Sequence, residues 1–289
     1  SGTPIENKLE ELWSVFDFLM PGFLFDKSEF NHRYVNPIVE KEDKVVEKRL
    51  KSQIFPFILR RMKRDVAQDL PDKVENVAYC ELTSEQKDFY LEVMDSTKEE
   101  LFKSIEQNGL EKSRMSIFSA LLRLRQICCH PWLYDKDNKK GINESGKFEK
   151  LKEMLYEIIQ EKHRVLLFSQ FVDMLDIIKE WLISKNIKFE YLTGATKERQ
   201  EAVERFNNNN DIPIFLVSLK AGGTGLNLTG ADYVIHYDPW WNPAVEDQAT
   251  DRAYRIGQPK KVFVYRLITK GTVEEKIQGL KQTKRNLVD

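Results

Sequence analysis

The sequence predicts an α/β fold, a parallel sheet with helices on both faces and helical insertions ahead of it. Three observations carry this expectation. From Gly146 onward, segments with helical spacing of apolar residues alternate with short apolar runs. Those runs, such as 165–168 and IFLVS at 214–218, show no polar alternation, as expected of strands buried on both faces of a parallel sheet. Residues 74–145, in contrast, offer one weak strand and then two long helical patterns, so helices predominate ahead of the alternating half.

In the first half, residues 7–19 set Leu9, Leu12, Trp13 and Phe16 on one helical side, and Pro21-Gly22 stops the helix. Residues 27–68 are helical in pattern and highly charged. Residues 74–82 form the weak strand. Thr83 and Gln86 stand at capping-box spacing. The helix they open aligns Phe89, Tyr90, Val93, Met94, Leu101 and Phe102, and Gly109 breaks it. A second helix, 115–129, runs through Ile117, Leu121, Leu124 and Ile127, and polar residues 135–145 read as a loop.

The alternating half opens with a helix through Leu151, Met154, Leu155, Ile158 and Ile159. The strand 165–168 follows, then a helix through Phe171, Met174, Leu175, Ile178, Trp181 and Leu182, the strand 189–192 and a helix over 197–206. The asparagine tract 207–210 reads as a loop. Strands 214–218 and 233–237 precede a helix begun by Asn242 as cap and Pro243 in its first turn. The strand 262–268 and a final helix, capped by Thr272 with Glu275, complete the chain. Folds of this kind bind ligands beyond the carboxyl ends of their strands.

Composition limits the function. The 289 residues suit one large or two ordinary domains, and 41% apolar with 31% charged residues indicates a globular protein. No apolar run approaches the roughly 18 residues of a membrane span, and no secretory signal opens the sequence. Cys80, Cys128 and Cys129 give no disulfide framework, and Cys128-Cys129-His130 lacks the ligand spacing of a zinc site. A reducing, intracellular compartment is expected. The net charge of −1 argues against a wholly basic DNA-coating protein and leaves nucleic-acid contact to local patches. Residues 48–64 and 252–270 are two basic runs without an acidic residue.

Residues 218–258 concentrate the candidate chemistry. Gly222, Gly223 and Gly225 follow a strand, where glycines serve either a plain turn or close approach to a phosphate. His236 lies inside a strand with no second ligand at metal spacing, so it reads as a packed core histidine. Trp240 reads as core, whereas Trp241 divides evenly between core packing and stacking on or wedging into nucleic acid. Gln248, Arg252 and Arg255 stand at i, i+4 and i+7, one face of a helix expected to run to Gly257. That face is either a solvated basic surface or an arginine pair aimed at a phosphoryl group gaining charge in its transition state.

In this order the motifs resemble the second motor lobe of the Swi/Snf-like DNA translocases, a branch of the superfamily-two helicases. SGTPIENKLEELWSVFDFLMPGFL at the start, FILRRMKRDVAQDLPDK at 57–73 and LRQICCHP at 124–131 extend the resemblance over essentially all 289 residues. It implies a RecA-like sheet in 146–289. It also implies a helical insertion in 74–145, and in 1–73 the tail of a first lobe with its helical excursion and inter-lobe connector. It implies an ATPase stimulated by double-stranded DNA, tracking along it and acting on a nucleoprotein target, with ATP and magnesium held only together with an N-terminal motor lobe. The motif Gln-x-x-x-Arg-x-x-Arg-Ile-Gly-Gln implies arginine fingers at Arg252 and Arg255, with Gln248, Gly223 and Gly225 on the nucleotide side. Trp241 is then the DNA-facing aromatic, and Ser169, Gln170, Thr193, Gly194, Lys220 and Thr224 are backbone-phosphate contacts.

GINESGK at 141–147 satisfies half of a phosphate loop, but Phe148 stands where the magnesium hydroxyl belongs and DKDNKK precedes it in place of a buried strand. No other phosphate loop and no Asp-Glu-x-His box occurs, so the 289 residues alone are expected to be inactive. A non-catalytic DNA- or protein-binding regulatory module and an RNA-directed helicase lobe are the alternatives. A Rossmann-type enzyme is disfavoured by the lack of a G-x-G-x-x-G fingerprint after a first strand.

Overall fold

A computed structural model describes residues 8–59, 70–221 and 225–288. The chain divides into two compact units, 1–68 and 69–289. The expected boundary after residue 73 falls five residues into the second unit, and the one after 145 falls inside it.

The first unit contains α1 (Leu9–Leu19), α2 (Lys27–Phe30), a π-helical stretch (Asn31–Glu40) and α3 (Lys44–Ile54). Asp26 and Asp43 accept hydrogen bonds from the first free amides of α2 and α3, as helix N-caps do. Leu12, Phe16, Leu24, Phe30, Tyr34, Leu50 and Ile54 form its core, with Leu9 and Trp13 packed at the margin. The helical pattern expected over 27–68 is thus three short pieces and a turn of 3-10 helix at Phe55–Phe57, and residues 60–68 lie outside the described residues.

The second unit is built on a six-stranded sheet in the order β1-β6-β5-β2-β4-β3, parallel throughout. The strands are β1 (Lys73–Cys80), β2 (Val165–Ser169), β3 (Phe189–Leu192), β4 (Ile214–Ser218), β5 (Tyr233–His236) and β6 (Val262–Thr269). Between and after them run α4 (Ser84–Lys112), α5 (Arg114–Cys129), α6 (Gly146–Gln160), α7 (Val172–Ser184), α8 (Arg199–Asn208), α9 (Pro243–Thr250) and α10 (Val273–Val288). Alternate strand residues serve opposite faces. Val165, Leu167, Ile214, Leu216 and Ile235 pack with α6 and α7, whereas Leu166, Phe168, Phe215, Val217 and Val234 pack with α8 and α9. Continuous apolar strands are the consequence of burial on both sides.

The helical pair α4 and α5 packs Phe89, Tyr90, Val93, Leu124, Ile127 and Cys128 against Val273 and Ile277 of α10. Both halves of the Thr83–Gln86 capping box form, and Gln86 also donates to the Ile127 carbonyl at 2.7 Å. Gly109, at φ 76° and ψ 168°, kinks α4. Met94 still packs at the margin of this core, whereas Phe102, farther along the expected stripe, is exposed.

Three local expectations need correction. The asparagine tract is not a free loop: Asn207 and Asn208 finish α8, and Asn207 bonds the Gly230 amide and the Asn227 carbonyl. The Arg164 guanidinium reaches the carbonyls of Phe206, Asn209 and Ile212 and closes the tract. The cap of α10 is rearranged. The Thr272 hydroxyl accepts from Glu274 N–H at 3.2 Å, and the Glu275 carboxylate accepts from Gly271 N–H at 2.9 Å. The third correction concerns α9 and belongs to the site.

GINESGK is structural, in agreement with its rejection as a phosphate loop. Ser145 caps α6, and Lys147 is fully buried with its Nζ 2.5 Å from Glu274. A Cβ on Gly146 would lie 1.9 Å from the Glu81 carbonyl oxygen, so only glycine fits there.

Candidate functional site

The parallel register aligns four strand ends. Ser169 of β2 pairs with Ser218 of β4, Phe168 with His236 of β5, and Leu192 of β3 with Val217 of β4. The segments leaving these strands therefore share one rim of the sheet: Ser169-Gln170, Thr193-Gly194, Leu219-Lys220 and Tyr237–Trp241. Leu219 N–H donates to Ser169 O and Tyr237 N–H donates to Phe168 O, both at 2.9 Å, which extends the ladder into the rim. The central strand β2 lies between β4 and β5, where the strand order turns from one side of the sheet to the other. Crevices at such points, outside the carboxyl ends, are where open α/β sheets bind ligands.

The rim is organised from below by Asp238, fully buried one residue past Tyr237. Its carboxylate accepts from the Ser169 hydroxyl at 2.5 Å and from Gln170 N–H at 3.2 Å. Burial lifts its pKa above the ordinary value, and Arg125 and Ser169 oppose the rise. Arg125, on α5, lies 3.7 Å from Asp238 and donates to the Pro239 carbonyl. The Ser169 side chain is thus turned inward. Thr193 is buried and its hydroxyl accepts from Ala195 N–H at 3.4 Å, whereas Gly194 and Lys220 are exposed. Gly225, exposed and at φ 38°, uses the backbone freedom of glycine. Gly223 and Thr224 lie outside the described residues.

The tryptophans part company. Trp240 packs half-buried on the core face shared with α8 and α9, and its backbone N–H donates to Glu246 at 2.7 Å. Trp241 is 38% exposed. His236 is buried, its Nε2 2.9 Å from the Thr250 hydroxyl and its ring stacked on Phe168, as a core histidine should be. Among the described residues no His/Cys/Asp/Glu group could hold a metal ion.

The arginines are not on a helix. Asn242 caps α9 and Pro243 fills its first turn as expected, but α9 stops at Thr250. Arg252 and Arg255 sit in the successive turns that follow, so the expected i, i+4, i+7 face does not exist. The physical reason is competition for carbonyls. Leu228 N–H takes the Arg252 carbonyl at 3.0 Å, and the buried Gln258 side chain takes those of Thr229, Ala231 and Ala253. Arg252 is nearly buried and Arg255 is exposed. Burial and the Arg255 charge depress the Arg252 pKa, against the pull of Asp251.

A buried charge cluster holds this segment to the sheet. Glu246 of α9 accepts from Lys281 of α10 at 2.6 Å and from Arg266 of β6 at 3.2 Å, and Arg266 also bonds Glu75 of β1 at 2.8 Å. Burial alone would lift Glu246, but the charges around it hold its pKa below the ordinary value. Several cations of the second basic run are ion-paired. Arg266 is buried in ion pairs, Lys260 lies 3.3 Å from Asp232 and Lys261 lies 3.9 Å from Asp72. In the first run Lys48 and Arg49 are exposed, and residues 60–64 lie outside the described residues. Arg125, Asp238 and Gln258 escaped the sequence reading as site residues, and Glu246, expected only as an acid at the helix start, holds two buried cations. The one available signal was an aspartate directly after a buried strand.

The family profile described as an SNF2-related domain matches residues 1–133, and the helicase conserved C-terminal domain matches 146–257. The Bacillus subtilis protein YwqA is 43% identical over 297 residues, covering all of this chain and 32% of the relative. The chain thus spans about a third of that relative's length. The Sulfolobus solfataricus SWI2/SNF2 ATPase core in complex with dsDNA superposes with a TM-score of 0.63 at 42% identity, over 99% of this chain and 60% of that one. The C-terminal domain of the Sulfolobus solfataricus SWI2/SNF2 ATPase superposes with a TM-score of 0.60 at 38% identity, over 74% of this chain and 87% of that one.

Proposed function

This chain belongs to the SNF2 family, and from that membership we infer that residues 69–289 are the second motor lobe of an ATP-driven translocase on double-stranded DNA. Residues 1–68 belong to the end of the first lobe in this reading. The observation that supports it is the shared rim. Exposed Gly194, Lys220 and Trp241 leave neighbouring strand ends, with Arg252 and Arg255 in the turns after α9.

ATP with magnesium, gripped by a first lobe, would supply the phosphoryl group whose transfer drives movement. This chain's part is electrostatic. Arg255 is exposed, and Arg252, three residues before it, is anchored through its carbonyl to Leu228. Guanidinium groups offered to a transferring phosphoryl group are what an arginine finger supplies. Gln248 lies on α9 just before the pair and supports the nucleotide side. Lys220 and the backbone at Gly194 offer contacts to DNA phosphates, and Trp241 offers an aromatic surface at the track.

ATP turnover measured with and without duplex DNA tests this reading. The 289 residues alone are expected to stay at background, and the full-length protein is expected to hydrolyse ATP faster when duplex DNA is added. Turnover by the 289 residues alone that rises with duplex DNA overturns the assignment. Stimulation of the full-length protein by RNA and not by duplex DNA replaces the track.

A further inference from the structure

We propose that Arg125 is a positioning residue, which carries Trp241 on its guanidinium plane and locks that ring to the Ser169–Gln170 turn through Asp238. Arg125 belongs to the helical pair, 116 positions before Trp241 in sequence, and is 1% exposed. Its guanidinium carbon lies 5.1 Å from the centre of the Trp241 ring and 5.9 Å from that of Phe171. The same group donates to the Pro239 carbonyl and stands 3.7 Å from the Asp238 carboxylate. Asp238 in turn binds the Ser169 hydroxyl and the Gln170 amide, and the Ser169 hydroxyl accepts from Phe171 N–H at 3.1 Å.

One buried cation therefore touches both sides of the rim. An exposed tryptophan with nothing behind it would sample several rotamers. A guanidinium stacked on its inner face, fixed by a buried carboxylate, leaves the outer face presented in one orientation. Cation–π contacts gain strength when the cation is desolvated, as Arg125 is. The arrangement also ties the helical pair to the rim, so α5 cannot shift without moving the aromatic.

The proposal rests on Trp241 facing the DNA track, and two measurements separate that premise from the contact itself. The first uses the 289-residue chain. Acrylamide quenching of the Trp241 emission, taken as the difference from W241F, is compared with the same difference in R125K. Lysine keeps the charge beside Asp238 but cannot stack as a plane, so quenching is expected to rise while the unfolding midpoint holds. Unchanged quenching overturns the proposal. The second uses the full-length protein and reads ATP hydrolysed per base pair moved. R125K and W241A are each expected to raise this ratio between about three- and thirtyfold, the range that loss of one buried cation–π contact supports. The double variant is expected to be no worse than W241A. Additive effects overturn the proposal. Should W241A leave the ratio unchanged, the premise fails and the proposal with it. Should W241A raise it and R125K not, only the role of Arg125 fails.

Discussion

His236 is a titratable residue placed where it cannot titrate normally. Burial and the cations Arg266 and Lys281 push its pKa down to about 4, against the pull of Glu246. Burial likewise brings His130 to about 4. An unfolded histidine takes up its proton near pH 6.5. The unfolded state thus binds protons that the folded state refuses, and stability complete above about pH 6.5 is lost as pH falls toward 4. Thermal unfolding of the chain from pH 7.5 to 5 is expected to show a falling midpoint, with a shallower slope in H236Q/H130Q. An equal slope in that variant contradicts the burial account. The core role of His236 was legible because a lone histidine in an apolar strand has no partner ligand. The roles of Arg125 and Gln258 were not, because a sequence shows side-chain type and spacing but not burial. Gln258 holds three carbonyls from two segments, and only the fold brings those segments together.

Lys147 and Glu274 join α6 to the start of α10 inside the core, and the Glu274 carboxylate also accepts from Thr269 N–H at 2.9 Å. Removing one partner strands a buried charge. K147M is expected to destabilise the chain by about 3–5 kcal/mol, and K147M/E274Q to recover most of that loss. Chemical denaturation measures both, and a K147M with wild-type stability would contradict a structural role for the Lys147–Glu274 pair. Gly146→Ala makes a related test, since its methyl meets the Glu81 carbonyl and a loss of about 1–3 kcal/mol is expected. Strands β2 and β4 were legible as continuous apolar runs because both their faces are covered. The helix bearing the arginines was overrun, because spacing alone continues a helix until a glycine or proline stops it. Here the stop is tertiary: Leu228 and Gln258 take the carbonyls that another turn would need.

At the scale of the whole chain, a net charge of −1 leaves DNA contact to local patches, and in the second basic run Arg266 and Lys260 are engaged in ion pairs. Duplex binding by the 289 residues is expected to be weak, with a salt slope equivalent to about two to four phosphate contacts. Tight binding that persists at high salt contradicts that picture. The parallel sheet and the rim at its carboxyl ends were legible from alternation alone. The central claim is that this chain completes an ATP site from the second lobe. Its most direct test is DNA-stimulated ATP turnover by the full-length protein at saturating ATP and duplex DNA, for wild type, R252A, R255A and the two Arg→Lys variants, with duplex affinity measured in parallel. The account predicts that each alanine variant loses about 10³-fold or more in turnover while duplex affinity holds, and that lysine restores little because it lacks the planar fork. Near-normal turnover in both alanine variants would contradict it and leave the two arginines as solvated surface.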